Sequence, residues 1–316
     1  MDESLFHFRR FELDDIPRMA ALLEEAEAVD HSGEDTSEEM LREQLTWVGH
    51  DLVRDRWMVE LSSEPGKIIA YSTLWKTPSN LHADITVVVH PAWRGRGIGG
   101  ELLMRTLHSA REAHAESVLA YVDVKHTAAN NFLLRRGFAP VSAYTVMSLA
   151  AAVSSAAPAW PADGYVVRPY SDVQDFSMLL QAFNRCYEGL WGHHHLSEDE
   201  LNAWFPAIDQ EGMLLLYAPN GDLVGICRVE MSEQLSHKYG KPLGYVDSPG
   251  IVSEYRDKGL FVPLLQAGVQ WLRERERVDI ELESWGDDAV TLAQYQGLGF
   301  TIVRQQRIWK GNMVKQ

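Results

Sequence analysis

An internal repeat with an offset of 162 residues is the feature that most constrains how this chain folds. Three pairs of anchor residues stand at that offset: Arg94 with Arg256, Gly97 with Gly259, and Gly137 with Gly299. The apolar positions between the anchors repeat at helical spacing as well: Ile98, Leu102, Leu103, Leu107 and Ala110 return as Leu260, Leu264, Leu265, Val269 and Leu272. A gapless repeat with matched burial predicts two copies of one fold.

A segment rich in Ala, Ser and Pro at 148–164 separates the two copies. A chain of 316 residues is long enough for two hydrophobic cores. The sequence therefore predicts a first domain at 1–150, a linker at 151–163 and a second domain at 164–316.

Each copy mixes helical and strand patterns. The first predicts helices at 14–28 and 37–49, a hairpin over 56–75 and a strand at 83–89. The second predicts a hairpin over 213–231 that turns at Asn220 and Gly221, a dipeptide that favours tight turns. The fold class is therefore mixed α/β, repeated twice.

Composition excludes several classes of function. The chain holds 45 acidic and 29 basic side chains, a formal net charge of −16, which argues against nucleic acid as a partner. Its two cysteines, Cys186 and Cys227, have no metal-ligand spacing, so no metal is expected. No apolar run is long enough to span a membrane, and the N-terminus lacks the pattern of a secretion signal. These features predict a cytoplasmic protein; the oligomeric state stays open.

The stretch HPAWRGRGIGG at 90–100 joins a predicted strand to a predicted helix and fits R-x-x-G-x-G at 94–99. Glycines let several backbone N–H groups point the same way, and a helix N-terminus adds partial positive charge. Such a nest suits a pyrophosphate, which Arg94 and Arg96 are placed to grip. The alternative is a tight turn whose glycines serve packing and whose arginines are solvated.

With this loop and the later stretch HTAANNFLLRRGF at 126–138, the chain resembles the GCN5-related N-acetyltransferases (GNATs). The resemblance covers the whole chain as a tandem pair, as in the mycothiol synthase-like members. It implies two domains, each a mostly antiparallel central sheet flanked by helices, and acetyl-CoA or another acyl-CoA as cosubstrate.

The resemblance also implies which residues bind the cosubstrate. In the first copy these are Val87, Val88 and Val89 beside the pantetheine arm, the loop residues Arg94, Gly95, Arg96, Gly97, Ile98, Gly99 and Gly100, and His126, Asn130 and Leu133. In the second copy they are Ile251, Arg256, Lys258 and Gly259, with lower occupancy expected. For the valines, a buried central strand is an equally good interpretation.

The two copies differ at the position of the family tyrosine that protonates the departing thiolate. That position holds Leu133 in the first copy and Tyr295 in the second. The second loop is poorer, because Asp257 replaces the first glycine, although Asp tolerates the left-handed turn. Tyr295 is therefore the predicted acid, with a core aromatic residue as the alternative.

Candidates for the general base are Asp84 in the first copy and Asp247 or Glu230 in the second. Each also fits a solvated or paired carboxylate. The segment with Trp191, His193, His194 and His195 precedes a helix capped by Ser197 and is predicted to line the acceptor pocket.

Together these features predict an acyl-CoA-dependent N-acyltransferase, in which a small-molecule amine attacks the thioester directly in a ternary complex. Two alternatives stay open. One is a non-catalytic acyl-CoA sensor or scaffold, and the other is a mycothiol-type acetyltransferase of thiol biosynthesis, which rests on the tandem architecture alone.

Overall fold

The computed structural model describes residues 5–33, 35–47, 49, 51–77, 80–153, 156–231, 236, 240–277 and 279–313. Their contacts divide the chain into two compact units. Unit 1 comprises Met1–Ser142 and Gln306–Gln316, and unit 2 comprises Ala143–Gln305.

The sheet of unit 1 is built mainly from antiparallel strands. In spatial order they are β1 (Phe6–Arg10), β2 (Arg56–Leu61), β3 (Glu64–Trp75), β4 (His82–Val89) and β5 (Ser117–Asp123). β4 and β5 run parallel, and the other neighbouring pairs are antiparallel. The C-terminal strand, β13 (Thr301–Asn312), pairs antiparallel with the free side of β5 through Gln306–Asn312.

Four helices are described in unit 1: α1 (Ile16–Asp30), α2 (Glu38–Gln44), α3 (Ile98–Glu112) and α4 (Thr127–Leu134). The Ser37 hydroxyl caps α2 by accepting from the Met40 N–H. The predicted apolar face of α3 is buried, with Leu102 and Leu103 packed in the core. α2 ends five residues earlier than the pattern indicates.

Unit 2 repeats the plan. Its strands, in spatial order, are β7 (Val166–Pro169), β8 (Met213–Tyr217), β9 (Leu223–Met231), β10 (Leu243–Asp247), β12 (Asp279–Trp285) and β6 (Ala139–Leu149), with the short β11 (Gly250–Ile251) also paired to β9. Its described helices are α5 (Phe176–Cys186), α6 (Glu198–Trp204), α7 (Phe261–Glu274) and α8 (Ala289–Gly297). The predicted turn at Asn220 and Gly221 separates β8 from β9, with Gly221 in the left-handed conformation that it requires.

The last strands of the two copies are exchanged. β13, from the second half of the sequence, pairs with β5 in the register Gln306↔Asp123. β6, from the first half, pairs with β12 in the register Tyr144↔Trp285. These registers are equivalent under the 162-residue offset. The compact units therefore differ from the predicted ranges 1–150 and 164–316, because a repeat pattern does not reveal which sheet receives the last strand.

Three smaller predictions concern the linker, the cysteines and the membrane. The described residues between Leu149 and Val166 form neither helix nor strand, as the composition of that segment indicates. Cys186 and Cys227 are buried free thiols. Among the described residues, no helix combines the length and apolar character needed to cross a membrane.

Candidate active site

Strands β4 and β5 part in the middle of the sheet of unit 1. Their parallel pairing covers only His82–Asp84, opposite Ser117–Leu119. On its other side, β4 stays paired with β3 as far as Val89. The backbone of 85–89 therefore borders a gap on the β5 side, and polar groups along a gap offer hydrogen bonds to an extended ligand. Val87, Val88 and Val89 lie along this gap, each partly buried.

The loop that follows β4 forms the nest expected from its glycines. Gly95 and Gly97 have φ of +78° and +89°, values in the left-handed region that glycine adopts without strain. Within the described structure, the N–H groups of 95–99 make no backbone hydrogen bond, and the loop from Gly95 to Gly97 is exposed. A Cβ at Gly99 would lie 3.5 Å from Val89 and 3.7 Å from Phe132, so the helix start sits directly against β4. This geometry fits an anion such as a pyrophosphate.

Arg94 supports the loop from within. Its Nη1 and Nη2 donate to both carboxylate oxygens of Asp30 at 2.7 and 2.5 Å, and its Nε donates to the Val89 carbonyl at 3.0 Å. In unit 2, Arg256 Nε donates to the equivalent carbonyl, that of Ile251, at 2.9 Å. Arg256 also bonds to the carbonyls of Cys186 and Glu188. This differs from the predicted grip on phosphate, because both guanidinium groups are occupied by the protein.

Arg96 is the exposed cation of the first loop. Its guanidinium lies over the Trp93 ring, 4.5 Å from the centroid. The second copy repeats the arrangement, with the Lys258 ammonium 3.6 Å from the centroid of Tyr255. A cation held over an aromatic ring at the surface stays available to an anionic ligand.

These contacts predict that Arg94 contributes mainly to stability and Arg96 mainly to ligand binding. Arg94→Ala should lower the stability of unit 1 by about 1.5–3 kcal/mol, because charge-assisted hydrogen bonds to Asp30 are lost. Arg96→Ala should leave stability within about 0.5 kcal/mol and weaken acetyl-CoA binding roughly tenfold, a change of about 1.4 kcal/mol. Urea denaturation and calorimetric titration measure the two quantities. This division of roles would be contradicted if both substitutions weakened binding equally and neither changed stability.

The second loop has a different backbone. Residues Ser253–Lys258 form a 3₁₀ helix, so Asp257 does not adopt the left-handed turn that we expected it to tolerate. Gly259, with φ of +70°, is the left-handed residue that remains. Phe261 stands where the first copy has Gly99, and its ring lies 5.7 Å from that of Tyr295. The second copy therefore lacks the open nest of the first.

The other predicted ligands of unit 1 lie in helix α4 and its cap. His126 precedes α4, and its Nε2 is 3.8 Å from Asp30 Oδ1. Leu133 is buried in the core. Asn130 is also buried, and its amide nitrogen donates to the Asp123 and His126 carbonyls, while its oxygen accepts from Trp309 Nε1 at 3.0 Å.

Asn130 therefore differs from its prediction as a cosubstrate ligand. A buried amide whose donors and acceptor are all used has little left to offer a ligand. It fastens α4 to β5 and to β13.

Tyr295 lies in α8 with its side chain fully buried, 0% exposed. Its hydroxyl is 2.7 Å from both Ser248 Oγ and Asp287 Oδ2. Burial, and then the Asp287 carboxylate, raise the pKa of this phenol. The phenol is therefore protonated, as an acid must be, and Ser248 places it next to the end of β10. Its role as the acid of the second copy stays a prediction.

Asp84 stands where β4 and β5 part. Burial raises the pKa of its carboxyl to about 6, partly offset by a hydrogen bond that Oδ1 accepts from the Tyr121 hydroxyl at 3.3 Å. A carboxylate with such a pKa is well matched to general-base catalysis near neutral pH. Sequence reasoning missed Tyr121. Leu119 is the register partner of Asp84, and residues two apart on a strand share a face, so the alternation along β5 places Tyr121 on the same face as Leu119.

The two base candidates of unit 2 belong to one charged cluster. Asp247 accepts from Arg228 Nε and from the Tyr245 hydroxyl, each at 2.6 Å. Glu230 is 3.7 Å from Arg228, and burial raises the pKa of its carboxyl. Asp247 is thus a paired carboxylate, and Glu230 is the less engaged of the two.

The predicted acceptor-lining segment of unit 2 lies between α5 and α6. Trp191, His193 and His194 are partly buried, and His195 is exposed. Burial, followed by the neighbouring histidines, lowers the pKa of His193, whose ring lies 6.4 Å from that of Tyr187.

Tyr187 links this segment to the end of β10, because its hydroxyl donates to the Ser248 carbonyl at 3.0 Å. Ser197 and Glu200 form the predicted capping box at the start of α6. In the described part of the chain, no group of three potential ligands is arranged to hold a metal.

A strand that parts from its neighbour and ends in an anion-binding helix start is the arrangement of acyl-CoA-dependent acyltransferases. The sequence profile of the acetyltransferase (GNAT) family matches residues 19–138 and 176–300, one match in each copy. The chain belongs to the GNAT family and is an N-acetyltransferase that uses an acyl-CoA and a small-molecule acceptor.

Similar proteins include several mycothiol acetyltransferases. That of Segniliparus rotundus is 30% identical over 233 residues, which cover 71% of this chain and 83% of that protein. That of Saccharomonospora viridis is 28% identical over 229 residues, which cover 69% and 70%.

Two solved structures share the fold. A GCN5-related N-acetyltransferase from Sphaerobacter thermophilus has a TM-score of 0.79 at 21% identity and covers 97% of this chain and 95% of its own. A tandem GNAT protein from the clavulanic acid biosynthesis pathway has a TM-score of 0.70 at 16% identity, with 98% and 99% covered.

Proposed function

We propose that this protein transfers the acetyl group of acetyl-CoA to an amine of a small molecule, and that acetyl-CoA binds in unit 1. The observation that carries the proposal is the loop at 94–100, where the backbone N–H groups of 95–99 make no backbone hydrogen bond in the described structure and Gly95 and Gly97 have positive φ. Phosphate oxygens are the natural acceptors for such a group of donors at a helix start.

The remaining parts of the site support the same ligand. Arg96 brings an exposed cation to the loop, and the gap beside 85–89 offers an unpaired strand edge to the amide groups of a pantetheine arm. The second loop offers less, because its 3₁₀ helix and Phe261 occupy the equivalent positions. Ile251, Lys258 and Gly259 remain predicted as a weaker second site, whereas the Arg256 guanidinium is occupied by backbone carbonyls.

The proposed reaction is direct attack by the amine nitrogen on the thioester carbonyl. Asp84 is the proposed base, since its raised pKa of about 6 lets it accept a proton near neutral pH. Backbone N–H groups along the gap at 87–89 would polarise the carbonyl.

A mycothiol precursor is a second, narrower proposal for the acceptor. It is supported by relatives of 28–30% identity that carry the name mycothiol acetyltransferase. The acidic net charge suits a cationic amine in general. A non-catalytic sensor is less well supported, because those relatives are named as enzymes.

Thiol release from acetyl-CoA across a panel of amines tests the function. We expect release with at least one member of a panel of amino sugars, aminoglycosides and cysteinyl amino sugars, and stabilisation of the protein by acetyl-CoA alone in thermal denaturation. The proposal would be contradicted if acetyl-CoA at millimolar concentration gave no stabilisation and no amine of the panel gave thiol release. Preference for the cysteinyl amino sugar would favour the mycothiol-type acceptor.

A further inference from the structure

Asp84 and Tyr121 form a side-chain pair at the point where β4 and β5 separate. The Tyr121 hydroxyl is 3.3 Å from Asp84 Oδ1. The last paired position of the two strands is Asp84↔Leu119, so Tyr121 lies two residues beyond it, on the same face of β5. The pair therefore stands at the mouth of the gap that we assign to the thioester arm.

The surroundings of the pair are mostly apolar. The register neighbours of Asp84 are Trp75 on β3 and Leu119 on β5, and neither carries a charge. Tyr121 is the titratable group that faces the carboxylate, and its hydrogen bond lowers the Asp84 pKa against the larger effect of burial, which raises it to about 6. Burial and the neighbouring Asp84 raise the pKa of Tyr121, so its hydroxyl stays protonated.

The repeat provides an internal comparison. By strand register, Asp84 and Tyr121 correspond to Tyr245 and Glu283, because Asp84 lies opposite Leu119 and Tyr245 lies opposite Glu281. Unit 2 therefore has the pair with the residue types reversed: the Tyr245 hydroxyl, which also donates to Asp247, is 3.4 Å from Glu283 Oε2. Unit 1 has Leu133 where unit 2 has Tyr295. Near the end of β10, unit 2 therefore has a tyrosine on a strand, Tyr245, and one on a helix, Tyr295, whereas the tyrosine beside the strand gap of unit 1 is Tyr121 on β5.

We propose that Tyr121 is the general acid of unit 1, and that Asp84 and Tyr121 together pass a proton from the amine to the departing sulfur. The proposal rests on the proposed function, in which acetyl-CoA binds in unit 1. It supplies, within the unit that has the better cosubstrate loop, the proton donor that Leu133 cannot provide.

The step is balanced without solvent protons once the amine is neutral. The amine nitrogen forms a bond to the carbonyl carbon, and its proton passes to the Asp84 carboxylate. The carbon–sulfur bond then breaks, the sulfur takes the Tyr121 proton, and the phenolate takes the proton held by Asp84. The products are the amide and free CoA thiol, and both side chains return to their starting protonation states.

The test compares Tyr121→Phe with Tyr295→Phe, two substitutions that each remove one hydroxyl. Thiol release is measured with acetyl-CoA and the best amine of the panel. Tyr121→Phe should lower kcat by about 100-fold, a typical effect of general-acid loss, with KM for acetyl-CoA within about twofold. If turnover occurs in unit 1, Tyr295→Phe should lower kcat by less than Tyr121→Phe does. Tyr217→Phe, which removes a hydroxyl that contacts Met178 Sδ, is the matched control and should keep the wild-type kcat. Wild-type turnover in Tyr121→Phe, or loss confined to Tyr295→Phe, would overturn the proposal.

The pH profile separates catalysis from mere packing. In the wild type, kcat should fall below a pH of about 6, as Asp84 becomes protonated and ceases to act as a base. Tyr121→Phe removes the hydrogen bond that favours the carboxylate, so this acidic limb should move to higher pH. Asp84→Asn should abolish the limb together with most turnover. An unmoved limb in Tyr121→Phe would overturn the proposal even if kcat fell.

Binding measurements distinguish failure of this proposal from failure of the proposed function. Calorimetric titration of Tyr121→Phe with acetyl-CoA should give the wild-type affinity, since the substitution lies away from the nest. If the wild type itself neither binds acetyl-CoA nor releases thiol, the proposed function fails. If the wild type does both and Tyr121→Phe matches it, only the acid assignment fails.

Discussion

Gly97→Glu is expected to remove acetyl-CoA binding in unit 1, weakening the affinity by at least about 100-fold. Gly97 has φ of +89°, and a side chain there costs about 1–2 kcal/mol if the loop keeps that conformation. The added carboxylate would also stand among N–H groups that we assign to phosphate oxygens, where like charges repel. Calorimetric titration with acetyl-CoA measures the loss, and turnover should fall with it.

Two matched variants sharpen this prediction. Gly97→Ala introduces the backbone strain without the charge, so its expected effect is roughly tenfold, which corresponds to about 1.4 kcal/mol. Gly259→Glu places the same strain and charge in the second loop, where φ is +70°, and should leave the tighter binding event unchanged. Loss of that event in Gly259→Glu, with wild-type affinity in Gly97→Glu, would move the site to unit 2.

The loop was predictable from sequence because its geometry is encoded locally. Glycines at 95 and 97, an apolar strand before them and an apolar helix after them are sufficient to predict a nest. The helices, the hairpin turns and the helix caps at Ser37 and Ser197 are local in the same sense. Tyr295 was predicted from the family resemblance and Asp84 from its place on the central strand, and both roles stay predictions.

Partners distant in sequence could not be predicted in this way. Arg94 looks like a phosphate ligand until its partner, Asp30, is found 64 residues earlier at the end of α1. Asn130 resembles a ligand until Trp309 fills its remaining acceptor. In both cases a motif residue serves tertiary structure, because hydrogen bonds to groups far along the chain leave no local pattern.

The backbone conformation of the second loop was not predicted, for a different reason. A single residue such as Asp257 is compatible with more than one backbone conformation, and the choice depends on the whole turn. With non-glycine residues at 253–258, the chain closes 3₁₀ hydrogen bonds and consumes N–H groups that an open loop would present. The second loop, with Asp257, Phe261 and Val262 where the first has glycines, therefore lacks the nest, although the repeat itself is preserved.

The exchanged last strands lead to an expectation opposite to that of a simple tandem arrangement. Trp309 lies in the second half of the sequence, yet its side chain is 3% exposed and belongs to the core of unit 1, beside Leu133 and Phe138. Trp309→Ala should therefore destabilise unit 1, by about 3–5 kcal/mol, because a large cavity opens and Asn130 loses a hydrogen-bond donor.

Met147 is the matched control, since it is the equivalent residue of the first half under the repeat. Its side chain is fully buried in the core of unit 2. Met147→Ala should destabilise unit 2 by about 2–5 kcal/mol. Each substitution should thus weaken the unit built mainly from the other half of the sequence.

Hydrogen exchange followed by mass spectrometry measures this directly, because local opening raises the exchange of the amides concerned. Trp309→Ala should increase exchange in β5 and α4 and weaken acetyl-CoA binding, while Met147→Ala should increase exchange in β12. The reverse assignment, with Trp309→Ala loosening β12, would mean that each half keeps its own last strand. In that case acetyl-CoA binding in unit 1 would not depend on the C-terminal strand. The exchanged arrangement predicts that it does depend on this strand.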